Sequence, residues 1–258
     1  MKKFVLLLAL VLLVTLPGCS KVDAGKATEP VTQAPTAPDA PVPAYPDFTE
    51  AVNLADQEDR YRINIFLSNF AEQEFNGWNW HDRQAITTAF QRDSAPAWQY
   101  VDFMFTWYDI NASHRMVCDG NYAYLTMEQI NEKLARYFGR TLTSEGFAAS
   151  GYEISGDRLI TPWGDGESHG NLAITEGMWA NGRGQYLVRF HIMTWDEMNT
   201  GGNMVSDKSV YYLDYETACG QDWLRAHRDG YAIVEEYRTE GVDSYHLIAY
   251  WLDGQTGP

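Results

Sequence analysis

The sequence predicts an α+β fold, with about four helices first and then an antiparallel sheet of five to seven strands. Between residues 61 and 139 the apolar residues recur at helical spacing. From about residue 151 they alternate as strands do, with many β-branched and aromatic residues. Helices and strands are segregated along the chain, which argues against a parallel α/β sheet.

The elements follow in order. In RINIFLSNFAE, Ile63, Phe66, Leu67 and Phe70 fall on one helix face. DRQAITTAFQR carries a weaker stripe, Ile86, Ala89 and Phe90, and predicts a second helix. Asp93 to Pro96 then supply a cap residue and a proline suited to a first turn. In AWQYVDFMFTWYDI the polar residues Gln99, Asp102, Thr106 and Asp109 form one narrow strip. That helix should be buried around most of its circumference. A fourth helix starts at Thr126, with Gln129 placed for a capping box and Gly139 to end it. GYEISGDRLI predicts a hairpin, and NLAITEGMWANGRGQYLVRFHIMTW predicts another that turns at Asn181–Gly184. SVYYLDYET, GYAIVEEYR and SYHLIAYWL each predict a strand.

Residues 1–18 read as a signal peptide. Lys2 and Lys3 precede an apolar run, Phe4–Leu16, too short for the ~20 residues that a membrane helix needs. The run ends in Leu16-Pro17-Gly18-Cys19, which resembles the lipobox of bacterial lipoproteins, with Pro17 in place of the usual small residue. The resemblance implies that Cys19 receives a diacylglycerol and becomes the first residue of the mature chain. Its acyl chains would hold the protein on the extracytoplasmic face of the cell membrane. Residues 19–47 hold six of the ten prolines and little apolar mass. They should form a disordered tether reaching at most roughly 85 Å at ~3.1 Å per residue. Residues 48–258 are then one globular domain with all nine tryptophans.

Removing residues 1–18 takes away two lysines and no acid, so the formal charge falls from −16 to −18. That excludes a nucleic-acid partner, which needs a basic face. The segments INIFLSNFAE, EKLARYFGRTL and a GDGES turn ahead of NGRGQYLVRF resemble an uncharacterised family of surface lipoproteins from clostridia-like bacteria. The resemblance spans much of residues 61–195. It rests on packing and turn residues, so it implies location and fold and carries no catalytic residue. A curved sheet wrapped by helices would also be similar to the ketosteroid-isomerase-like cone, whose cavity serves enzymes and binders alike.

Candidate sites are few. Gly166-Glu167-Ser168-His169-Gly170 matches the G-x-S-x-G nucleophile elbow, but a strand-like segment follows Ser168 where the elbow needs a helix. Asp165, Glu167 and His169 alternate in the same turn, and no recognised metal motif supports them, so no metal or cofactor is expected. Cys118 and Cys219 are open to a bridge after export, and two buried free thiols fit equally well. In QYLVRFHIMTW, Tyr186, Val188, Phe190 and Ile192 should face the helices. Arg189, His191, Met193 and Trp195 lie on the other face and suit a binding surface. Glu235 with Tyr237, or Glu236 with Arg238, are possible neighbours.

These features favour non-catalytic binding of an envelope component: a wall glycan, a peptide or a partner protein. The alternative is a cavity hydrolase or isomerase using His191 and a nearby acid. The lipobox generates a direct expectation. Cys19→Ala should move the protein from the membrane fraction to the medium and abolish labelling by radioactive palmitate. Unchanged fractionation would sink the anchor.

Overall fold

In a computed structural model the chain is described at residue 45 and over residues 47–163, 170–195, 208–239 and 242–258. In chain order the elements are β1 (Glu50–Ala51), α1 (Gln57–Ala71), β2 (Trp78–Asn79), β3 (Gln84–Ala85), β4 (Phe90–Gln91) and α2 (Ala97–Ala112). Then come β5 (Val117–Asp119), β6 (Tyr122–Thr126), α3 (Met127–Phe138), α4 (Ser144–Ala148), β7 (Glu153–Ser155) and β8 (Arg158–Pro162). The last are β9 (Asn171–Ala180), β10 (Gln185–Trp195), α5 (Tyr215–Cys219), β11 (Leu224–Thr239) and β12 (Val242–Leu252). A 3₁₀ segment, Lys208–Tyr212, precedes α5.

The fold is α+β, with helices ahead of a mainly antiparallel sheet. The main sheet has six strands in the order β1-β9-β10-β11-β12-β4. Its four long strands come from the second half of the chain, and two short early strands close its edges. Register shifts leave Glu176, His227 and Ile248 as extra residues in the β9–β10, β10–β11 and β11–β12 pairs. Such bulges bend the strands and increase the local twist. A second sheet, β5-β6-β8-β7, stands apart from the first. The GYEISGDRLI hairpin therefore forms as expected but joins this smaller sheet.

The helices follow their sequence signals closely. Ile63, Phe66, Leu67 and Phe70 of α1 are all buried, and Asp56 caps the helix by accepting from Glu58 N. At α3 the Thr126–Gln129 capping box forms in full, and Gly139 takes φ +65° at the C-terminus. Pro96 occupies the N-cap of α2 and gives no side-chain cap.

Two expectations fail. DRQAITTAFQR is not a helix: it contributes β3, β4 and an extended link between them. Only Phe90 of its stripe reaches the core, and its carbonyls bond distant partners instead (below). SVYYLDYET is not a strand: it is the 3₁₀ segment followed by α5, which Asp214 caps by accepting from Thr217 N.

Phe70 sits at the centre of the core. Its ring lies 4.8 Å from Phe103 in a stacked arrangement, 5.8 Å from Phe138 and 6.0 Å from Tyr250. Helices α1, α2 and α3 and the sheet therefore meet on one side chain. Offset and edge-on pairs of this kind each add ~0.5–1.5 kcal/mol beyond burial.

Glu72, just after α1, is a half-buried acid whose Oε2 is itself buried and unpartnered. Burial pushes its carboxyl up to about 7, and a hydrogen bond with Asn111 only partly offsets this. Between the ordinary 4.5 and about 7 the folded chain holds this proton more tightly than the unfolded chain does. The stability it contributes is complete below 4.5 and gone above about 7. Raising the pH from about 5 to about 8 should therefore cost about 2–3 kcal/mol through this group. Glu72→Gln should remove that part of the slope in urea titrations at the two pH values. An unchanged slope would show that Glu72 stays ionised.

Candidate functional site

The far face of the main sheet carries the residues that the sequence singled out, and it is covered. Val188, Phe190 and Ile192 point into the helix-side core as expected. On the opposite side, Met193 packs with Leu172, Ile174, Val210, Ala218 and Leu224, with Trp195 at the margin. The segment 208–224 thus roofs this end of the sheet. His191 is only 3 % exposed, and the Tyr215 ring stacks on it at 3.8 Å. Arg189, His191, Met193 and Trp195 do not form an open binding face.

His191 is bracketed by two acids. Its Nδ1 lies 2.7 Å from Asp229 Oδ1, and its Nε2 lies 2.7 Å from Glu176 Oε2. Asp229 stands directly across the β10–β11 pair, and Glu176 is the bulge residue of β9. Arg189 Nε is 3.0 Å from Glu176 Oε2. Its N–H does not aim at that oxygen, so the contact is an ion pair and not a hydrogen bond. The neighbours of His191 are therefore Glu176 and Asp229, not Glu235, Tyr237, Glu236 or Arg238. Glu235 pairs with Gln185 and His246, and Glu236 bonds Arg238. Both ring nitrogens are occupied, and His191 lines none of the three cavities described below.

Cys118 and Cys219 are free and exposed, on β5 and at the end of α5. They form neither the bridge nor the buried pair that the sequence left open. Cys19, Asp165, Glu167, Ser168 and His169 lie outside the described residues.

The largest cavity described lies elsewhere, between α2, the chain following α1 and the small sheet. It is a cleft of about 600 Å³, within the usual range of ligand sites. The polar strip of α2 forms its floor: Asp102, Thr106 and Asp109, spaced by four and three residues, line it together. Trp80 and His81 come from the turn after β2. Tyr122 and Ile160 come from β6 and β8, Tyr152 from the link between α4 and β7, and Glu153 from the start of β7.

Asp102 is the best-held acid in this cleft. Tyr152 donates its hydroxyl hydrogen to Asp102 Oδ1. His81 Nε2 lies 3.8 Å from the same oxygen, beyond hydrogen-bond reach. Burial raises the Asp102 carboxyl above its ordinary value, and Tyr152 and His81 only partly offset that; burial also raises Asp109. Tyr152 in turn stacks on Phe105 at 5.3 Å. The Thr106 hydroxyl donates back to the Asp102 carbonyl of its own helix. Among the described residues, no serine, cysteine, lysine or arginine lines the cleft.

The rim is aromatic and exposed. Trp80 is 72 % exposed and Trp78 is 41 % exposed, and their rings meet edge to face at 6.2 Å. Beside them, a recess of about 70 Å³ shares Trp80, Asp102 and Thr106 with the cleft. It shares Trp98 and Gln99 with a further hollow of about 490 Å³.

Asn76 and the C-terminal residues fix the loop that carries Trp80. Asn76 takes φ +59°, a left-handed conformation that asparagine tolerates better than most residues. Its side chain accepts from Gln99 Nε2 and donates to Thr88 O. Gln255 Nε2 donates to Asn76 O and Ile86 O at 2.6 and 2.7 Å. Thr256 exchanges backbone bonds with Thr87 and Ala89.

Sequence reasoning found the α2 strip but drew from it only a helix buried around most of its circumference. The cleft escaped it because Trp80, Tyr122 and Tyr152 come from segments with no local sign of meeting that strip. Comparison with protein-family models, with curated proteins and with solved structures gives no match.

The His191 cluster yields its own test. His191→Ala leaves two carboxylates facing each other without the ring between them. Breaking a buried pair costs ~3–5 kcal/mol. Asp229 is 37 % exposed, so roughly 2–3 kcal/mol is expected here, read by urea denaturation. A loss below about 1 kcal/mol would show that solvent already satisfies both acids.

Proposed function

We propose that this chain is a lipid-anchored extracytoplasmic binding protein whose ligand occupies the α2 cleft. The acyl chains on Cys19 hold it at the membrane, and residues 19–47 set its reach. One observation carries the reading: a half-buried carboxylate, Asp102, faces a cleft of about 600 Å³ with aromatic walls. Rigid aromatic surface with a few placed polar groups is what small-ligand recognition needs.

Binding is favoured over catalysis by what the cleft groups already do. Tyr152 is committed to Asp102, Thr106 is committed to its own helix, and His81 is out of bonding range of Asp102. No nucleophile paired with a base lines the cleft among the described residues. His191, the other candidate base, lies under Tyr215 with both nitrogens taken. The anchor makes an envelope component the natural ligand.

The test is a thermal-shift panel on the purified full chain in detergent, using muropeptides, wall polymers and common oligosaccharides and amines. A ligand at 100 times its Kd should stabilise the fold by ~2.7 kcal/mol and raise Tm by several degrees. Thr106→Trp, which plugs the cleft from an exposed position, should abolish the shift. Trp80→Ala should weaken binding about tenfold, the scale of one lost aromatic contact. A shift that survives Thr106→Trp would place the ligand elsewhere.

A further inference from the structure

We infer that the cleft is built for an organic cation, a ligand carrying an amine or quaternary ammonium group. The inference rests on the cleft being the ligand site and adds the chemistry of what enters it.

Two features of the lining point to positive charge, and they are independent. The first is the set of acids. Asp102, Asp109 and Glu153 all line the cleft, and no lysine or arginine does so among the described residues. His81 is the sole basic side chain in that lining, 3.8 Å from Asp102 and half exposed. An anion entering here would meet three carboxylates with almost nothing to offset them. The chain's formal charge of −16 acts in the same direction at longer range.

The second is the set of rings. Trp80, Phe105, Tyr122, Tyr152 and Trp163 line the same space. The face of an aromatic ring is negative, so it attracts a cation and gains most when the cation is desolvated. Rings alone would equally suit the apolar face of a sugar. Rings together with three acids and no lysine or arginine beside them do not. A neutral ligand would cover Asp102 and remove its remaining water without supplying a counter-charge, and that is costly for an acid already held above its ordinary range by burial. An ammonium group supplies the charge to the acids and the alkyl surface to the rings.

A bare metal ion fits less well. Among the described residues, no three His, Cys, Asp or Glu side chains converge closely enough to ligate one. The space is also far larger than an ion needs, and much of its wall is carbon. Size and lining together favour an alkylammonium of several carbons.

The experiment is isothermal titration of the full chain in detergent at fixed ionic strength. The probes are choline for a quaternary ammonium, spermidine for a polyamine and an N-acetylglucosamine oligomer for a neutral glycan. Choline or spermidine should bind, and which of the two binds more tightly tells whether rings or acids dominate. Asp109→Asn and Trp80→Ala should each weaken that binding about tenfold or more, and Thr106→Trp should abolish it. Binding of the glycan alone, lost in Thr106→Trp and unchanged in Asp109→Asn, would overturn the cationic inference while the cleft remained the ligand site. Ammonium binding that none of the three variants alters would be nonspecific attraction to an acidic chain and would also overturn it. No binding by either amine, in a chain whose Tm matches across variants, would overturn it as well.

Discussion

The outer edge of β9 has backbone N–H groups that β1 is too short to meet, and helix α1 meets them. Ser68 Oγ accepts from Ala173 N at 2.9 Å, and Asn64 Oδ1 accepts from Thr175 N at 2.8 Å. Both side chains are fully buried, so an unpaired N–H there would bear its full desolvation cost. The pair also acts on the other side. Asn64 Nδ2 donates to Tyr211 O and Leu213 O, and Arg60 bonds Tyr212 O. Two turns of α1 therefore set the helix register against the sheet, close a sheet edge that would otherwise attract another strand, and dock the segment that roofs the far face. The burial of His191 under Tyr215 follows from that docking.

With one face of the sheet under helices and part of the other under its roof, the cleft lies outside the sheet. It exists because α2 has two unlike sides. Phe103 and Met104 lock the helix into the aromatic core around Phe70, and the strip of Asp102, Thr106 and Asp109 is turned outward. The small sheet leans over that strip as the second wall. The aromatic wealth of the chain thus has two separate fates. Many rings fill the core, while Trp78 and Trp80 stay on the rim at the cost of exposed apolar surface.

The parts of this structure that were legible in the sequence are those set by neighbours a few residues away. The stripe of α1, the capping box at Thr126, the left-handed Gly139 and the β9–β10 hairpin are all local, and all stand where the pattern places them. The misreadings have a distant partner behind them. Residues 82–92 have a helical stripe, but the carbonyls of Ile86 and Thr87 are claimed by Gln255 and Thr256, about 170 residues away. The Glu176–His191 contact needs a bulge, and a bulge shifts side-chain parity in a way that alternation does not reveal. SVYYLDYET differs: Asp214 before Tyr-Glu-Thr is a local cap signal, overshadowed by tyrosine-rich alternation.

The bonds from Gln255 and Thr256 to residues 76–89 make the last residues a strap across the loop that bears Trp80. A protease that trims the chain after Leu252 would cut that strap and slacken the cleft rim without removing one lining residue. A purification handle fused after Pro258 would pull on the same strap. Affinity measured on a protein tagged there would then report on the tag as well as on the cleft, and a tag placed away from this strap would avoid this.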